Sequence, residues 1–73
     1  MDYDIIENRK RIGCKIAKIR ELRGLSPQEL ADFANIRGNS VSRIELGKYS
    51  LDVDMLGKIV DVLDCKIDIV EKK

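Results

Sequence analysis

Leu30-Ala31-Asp32-Phe33-Ala34-Asn35-Ile36-Arg37-Gly38-Asn39-Ser40-Val41-Ser42-Arg43-Ile44-Glu45-Leu46-Gly47-Lys48 is the stretch that decides the fold. Leu30, Ala31, Phe33 and Ala34 supply a short buried stripe at helical spacing. Asn35 interrupts it, and Asn tolerates the left-handed conformation better than most residues with a side chain. Ile36 resumes the apolar signal, and Val41 and Ile44 place it on one face of a further short helix over residues 38–45. Gly47 closes that helix. The pattern is therefore two short helices joined by a turn of three to four residues. With Val41 and Ile44 turned inward, Asn39, Ser40, Ser42 and Arg43 form the outward face.

Upstream, Ser26-Pro27-Gln28-Glu29 starts the first of these helices. Ser26 caps it, Pro27 suits its first position, and Glu29 is the capping-box partner. Before that, Ile12, Ile16, Ile19 and Leu22 mark an amphipathic helix over residues 8–23, ended by Gly24. Residues 1–7 are a lead-in without a clear pattern. Downstream, Asp52 caps a fourth helix, and Asp54 sits favourably in its first turn. Val53, Leu56, Ile59, Val60 and Leu63 give that helix an apolar face. Gly57 inside it costs about 0.5–1 kcal/mol relative to Ala, and close approach of a neighbouring helix is one reason to keep it. In the tail, Cys65, Ile67 and Ile69 alternate with Lys66 and Asp68 as in a half-buried strand. Ile67, Ile69 and Val70 equally suit a docked helical turn, and a short helix is the preferred reading. The fold class is all-α, a compact bundle of four to five helices.

Seventy-three residues suit one small domain, spanning residues 1–73 with its core over 8–70. The chain is 44% apolar and 37% charged, which fits a globular fold. One Phe, two Tyr and no Trp leave no aromatic platform for stacking single-stranded bases. Net charge is +1, but its distribution is uneven. Residues 9–23 carry Arg9, Lys10, Arg11, Lys15, Lys18, Arg20 and Arg23 against Glu21 alone, while acids gather at Asp52, Asp54, Asp61, Asp64 and Asp68. Such a dipole turns one side to phosphate. Cys14 and Cys65, with no His in the chain, do not make a tetrahedral metal site. Both lie among aliphatic residues, where a reduced thiol behaves as a small hydrophobe. No cofactor is expected. No apolar run approaches the roughly 18 residues of a membrane span, and no secretory signal is recognised, so the expectation is a cytoplasmic protein that does not meet the membrane. Without His, a glycine-rich phosphate loop or a nucleophile elbow, the chain does not read as an enzyme.

A helix pinned by one face, with the other free, has the geometry that enters the DNA major groove, about 12 Å wide. There Arg43 suits guanine and Asn39 suits adenine. The elements Ile12-Gly13-x-x-Ile16-x-x-x-Arg20, Leu22-x-x-Gly24-Leu25-Ser26, Glu29-Leu30-Ala31 and Val41-Ser42-Arg43-Ile44-Glu45-x-Gly47-Lys48 together resemble the Cro and phage-repressor type of helix-turn-helix domain, also called the xenobiotic-response-element family. The resemblance runs from Ile12 to about Val70. It implies an ion pair between Arg20 and Glu45. It implies base reading by Gly38, Asn39, Ser42 and Arg43. Ser26, Pro27 and Gln28 at the start of the second helix are implied to touch phosphate, where free N–H groups favour an anion. Arg37, Ser40, Lys48 and Tyr49 are the further candidates for the DNA backbone. Four positions depart from the family pattern: Pro27 replaces a Gln, Gly38 a base-reading side chain, Arg37 a capping Ser or Thr, and Asn35 a turn Gly.

The reading is a sequence-specific regulator of transcription that binds double-stranded DNA. One recognition helix covers few base pairs, so a homodimer joined through the fourth helix and the 65–70 tail is expected. No small-molecule ligand is expected. The alternative is a protein-interaction module of the same fold, such as an antitoxin-like partner.

Overall fold

Asp4 begins the first helix. In the computed structural model, which describes residues 4–72, its carboxylate accepts the Glu7 backbone N–H at 2.9 Å. This caps α1 (Ile5–Leu22), which thus starts three residues before the periodicity of residues 8–23 predicts. Ile5 and Ile6 are exposed, so the apolar pattern carries no sign of that first turn. Its cap does. Ser26 and Glu29 close the predicted capping box at the start of α2 (Pro27–Ala34). A turn over residues 35–37 leads into α3 (Gly38–Glu45), and Asp52 caps α4 (Val53–Val62) through the Met55 N–H.

All four helices stop in the same way. Gly24, Asn35, Gly47 and Asp64 each take a positive φ, between 57° and 74°. The next N–H then reaches back to the last turn: Leu25 to Arg20, Ile36 to Ala31, Lys48 to Arg43 and Cys65 to Val60. This pairing satisfies carbonyls that a helix end otherwise leaves open. Asp64 is the one such residue that the sequence reading missed.

The core is Ile16 of α1, Leu30, Ala31 and Ala34 of α2, Val41 and Ile44 of α3, Ile59 of α4 and Leu63 just beyond it. Ile12, Ile19, Leu25 and Ile36 close over it. Truncating a fully buried residue such as Leu30 to Ala costs about 2–5 kcal/mol in such a core. Gly13 lets α1 sit directly on the end of α3. A Cβ there would collide with the Ile44 carbonyl oxygen and lie 2.8 Å from that of Glu45.

Several apolar residues read as core lie outside it. Leu22, Phe33 and Val53 are exposed, Phe33 by 68%. Helical spacing assigns a face but not its width, and these three sit at the stripe's edges. Cys14 is also exposed, while Cys65 is half-buried against the core. Gly57 meets nothing within 4 Å of its missing Cβ, so no neighbouring helix requires it. From Cys65 onward the described tail is neither the preferred short helix nor a paired strand. The left-handed Asp64 ends helical winding, and among the described residues no strand lies beside the tail.

Candidate nucleic-acid interface

α3 is held by its inner face and at its far end. Ser40, Val41 and Ile44 bury its inner face. At its far end Glu45 takes two hydrogen bonds from Arg20, Nε to Oε2 at 2.6 Å and Nη2 to Oε1 at 3.1 Å. The third nitrogen, Nη1, donates to the Leu25 carbonyl at 2.7 Å. Both side chains are only 11% exposed. The hydrogen bond to Glu45 holds the Arg20 guanidinium above its ordinary pKa, so it stays charged throughout the accessible range. The pair predicted from the resemblance is therefore a two-pronged clamp of α1 on α3, with its spare donor tying down the α1–α2 connection.

The opposite face of α3 is open. Asn39, Ser42 and Arg43 are exposed, and Gly38 is half-exposed at the helix start. Arg43 lies over the Tyr49 ring, 5.4 Å from its centre. The aromatic face attracts the cation and limits where the guanidinium travels. Lys48, next to Tyr49 in the chain, is exposed as well. Asn39, Ser42 and Arg43 are thus solvent-facing residues of α3, as the spacing predicts.

The phosphate candidates divide. Arg37 is exposed at the α3 N-terminus and makes no side-chain cap, which leaves N–H groups there without a side-chain acceptor. Ser40 is 92% buried, being 8% exposed. It is thus not an outward residue, because it falls beside Val41 and Ile44 on the inner flank. Ser26 Oγ accepts from the Glu29 N–H at 3.1 Å, and the Glu29 carboxylate accepts the Ser26 N–H at 2.8 Å. The α2 start is therefore satisfied from within and carries a negative charge. Pro27 has no N–H to offer. Gln28 donates to Asp32 at 2.8 Å, and its Oε1 rests where a Cβ of Gly38 would stand. Gly38 thus makes room for the Gln28 side chain.

Two contributors escaped sequence reasoning. Lys58 of α4 joins Arg37, Ser40 and Tyr49 around an open groove of about 490 Å³ beside α3. Arg23 donates from Nε to the Leu63 carbonyl at 3.0 Å, joining the end of α1 to the end of α4 across 40 residues of sequence. Both depend on how α4 crosses the other helices, which no local spacing encodes.

The geometry is that of a helix-turn-helix unit, and the comparisons agree. The family model described as helix-turn-helix matches residues 16–70, and the chain belongs to that family, in its Cro and phage-repressor type. It is an all-α DNA-binding helix-turn-helix domain. No curated protein matches the sequence. Two solved structures of the clp gene regulator ClgR from Corynebacterium glutamicum share the fold. One aligns with TM-score 0.77 and 21% identity, covering 80% of this chain and 62% of that one. The other aligns with TM-score 0.78 and 20% identity, covering 81% of this chain and 76% of that one. At these identities the likeness is one of fold. Among the described residues no helix is long and apolar enough to cross a membrane.

Proposed function

We propose that the chain is a sequence-specific regulator that inserts α3 into the major groove of double-stranded DNA, as a homodimer, in the cytoplasm. The observation that carries this reading is the split of α3. Val41 and Ile44 are buried, while Asn39, Ser42 and Arg43 stand free on one face. Arg43 reads guanine through two donors and Asn39 reads adenine. Gly38 lets the backbone come close to the bases. Arg37, Lys48, Tyr49 and Lys58 face the phosphates on the α4 side of α3, and the Ser40 hydroxyl lines the groove between them. Ser26 and Gln28 approach the backbone from the α2 side, with Gln28 freed from Asp32 on contact. The domain works by binding, not by catalysis.

Selection of binders from randomised duplex DNA at fixed salt tests this, with the wild type beside Arg43→Ala. A short enriched motif that loses one base preference per half-site in the variant supports the reading. No enrichment by the wild type overturns it. The exposed Phe33 favours a second reading, a domain whose main partner is a protein. Binding through apolar surface is far less sensitive to salt than phosphate binding, whose slope is roughly −0.9 per phosphate neutralised.

A further inference from the structure

Ser40 keeps an unspent hydroxyl. The residue is 8% exposed and lines the open groove of about 490 Å³ beside α3. Its backbone N–H goes to the Arg37 carbonyl at 3.0 Å, but its side chain has no hydrogen-bond partner among the described residues. No sealed side-chain oxygen among them lacks a partner, so the Ser40 hydroxyl is not sealed. What opening it has is onto the groove that the residue lines.

The rest of the groove has the same character. Arg37 and Lys58 line it, and both side chains are exposed. Among the described residues no carboxylate lines it; Asp54, in the first turn of α4, is exposed and lies outside the lining. The groove also borders the start of α3, through Asn35 and Arg37. That start has no side-chain cap, which leaves the Gly38 and Asn39 N–H groups free. The helix dipole adds positive potential at the same end.

We propose that this groove is a seat for a terminal phosphate, the dianionic group of inorganic phosphate or of a phosphomonoester. Charge decides between kinds of phosphate. Two cations with no acid between them balance a dianion, whereas each phosphodiester of a DNA backbone carries one charge. The donors agree. The Ser40 hydroxyl, two N–H groups, Arg37 and Lys58 offer partners to all three oxygens of a terminal phosphate. The seat lies within one chain and does not rest on the DNA reading. Its consequence does: Arg37 and Lys58 are the cations that serve DNA phosphates when α3 reads a duplex. A seated dianion engages both, so phosphate and DNA compete, each lowering the other's affinity by the same factor.

The test is titration of the full, ¹⁵N-labelled chain at about pH 8, where a terminal phosphate is dianionic. The probes are inorganic phosphate, methyl phosphate and dimethyl phosphate, each against sodium chloride of matched ionic strength. Saturable shifts of the Gly38 and Asn39 N–H signals are expected with inorganic phosphate. The same shifts with methyl phosphate extend the seat to esters, and their absence there assigns it to the free ion. Ser40→Ala and Lys58→Met should each weaken binding about 10-fold, with folding checked by circular dichroism. Lys58 is exposed, so its variant decides the matter even where Ser40→Ala disturbs the fold. Equal shifts from dimethyl phosphate overturn the preference for a terminal group. No saturable shift, or binding that neither substitution weakens, overturns the seat. Fluorescence anisotropy on the selected duplex reads the competition. Phosphate that saturates the N–H signals without loosening DNA overturns the competition alone. A wild type that binds no duplex overturns the DNA reading and leaves the seat standing.

Discussion

Gly13 lies directly against the carbonyl oxygen of Ile44, with no room between them for a methyl group. The contact is backbone on backbone, so neither side relaxes by turning a side chain. It sets the distance at which α1 crosses the end of α3, one residue before the Glu45 carboxylate that Arg20 grips.

Gly13→Ala should therefore lower stability by about 1–3 kcal/mol or more, the usual range for overpacking a rigid site. Gly57→Ala should do the reverse. Open space surrounds that position, and replacing a mid-helix Gly with Ala gains about 0.5–1 kcal/mol. Thermal melts of the two variants beside the wild type check both signs. Opposite shifts in Tm are the expected outcome.

Arg20→Met should cost about 2–3 kcal/mol, since it leaves a largely buried Glu45 without its partner and the Leu25 carbonyl without its donor. The raised Arg20 pKa fixes how this cost varies with pH. A group held above its unfolded value stabilises fully below that value and loses its effect only as pH climbs past it. For an arginine that window is strongly alkaline. The penalty measured by denaturant titration should thus be the same at pH 6 and pH 9, and a penalty that vanished by pH 9 would contradict the clamp.

Arg43 and Tyr49 act together in the proposed interface, and their variants should differ in kind. Arg43→Ala should cost about 1–3 kcal/mol at one base position and relax the preference there. Tyr49→Leu removes the ring beneath the guanidinium, a contact worth about 0.5–1 kcal/mol at an exposed site. It should weaken binding about 2- to 5-fold while leaving the preferred base unchanged. Fluorescence anisotropy on matched and single-mismatch duplexes separates the two.

Asp64→Gly should stabilise the fold, and by more than Asn35→Gly. Both residues hold a left-handed conformation that costs a side chain roughly 1 kcal/mol. Part of the gain is returned because Gly loosens the unfolded chain. Asp64 has a further disadvantage: its carboxylate stands at the negative end of α4. Urea titrations of both variants should give a midpoint order of Asp64→Gly, then Asn35→Gly, then wild type.

What the sequence revealed and what it concealed follow from range. The capping box at Ser26, the Asp52 cap, the turn at Asn35 and the inward pair Val41 and Ile44 are decided within a few residues, and each is in place. Only the family resemblance points to the Arg20–Glu45 pair, since nothing in their 25-residue separation announces a contact. Phe33, Leu22 and Val53 show the limit of periodicity. It orients a helix, yet whether an edge position is covered depends on the neighbour's angle. The place of Lys58 in the groove beside α3 and the reach of Arg23 and Gln28 to other parts of the fold lie beyond it for the same reason. Ser40 lies inward beside Val41, and a small hydroxyl carries little information about its side.

The four left-handed helix ends bear also on how the chain reaches this state. Each reversal is settled by a signal within its own turn, so most of the search is local. The Gly13–Ile44 contact, the Arg20–Glu45 clamp and the Arg23–Leu63 link are among the exceptions. Helical domains dominated by near-neighbour contacts fold within microseconds to milliseconds. For this chain speed is a form of protection. The apolar tail from Cys65 to Ile69 spends little time beside an unfolded chain that offers it a wrong partner.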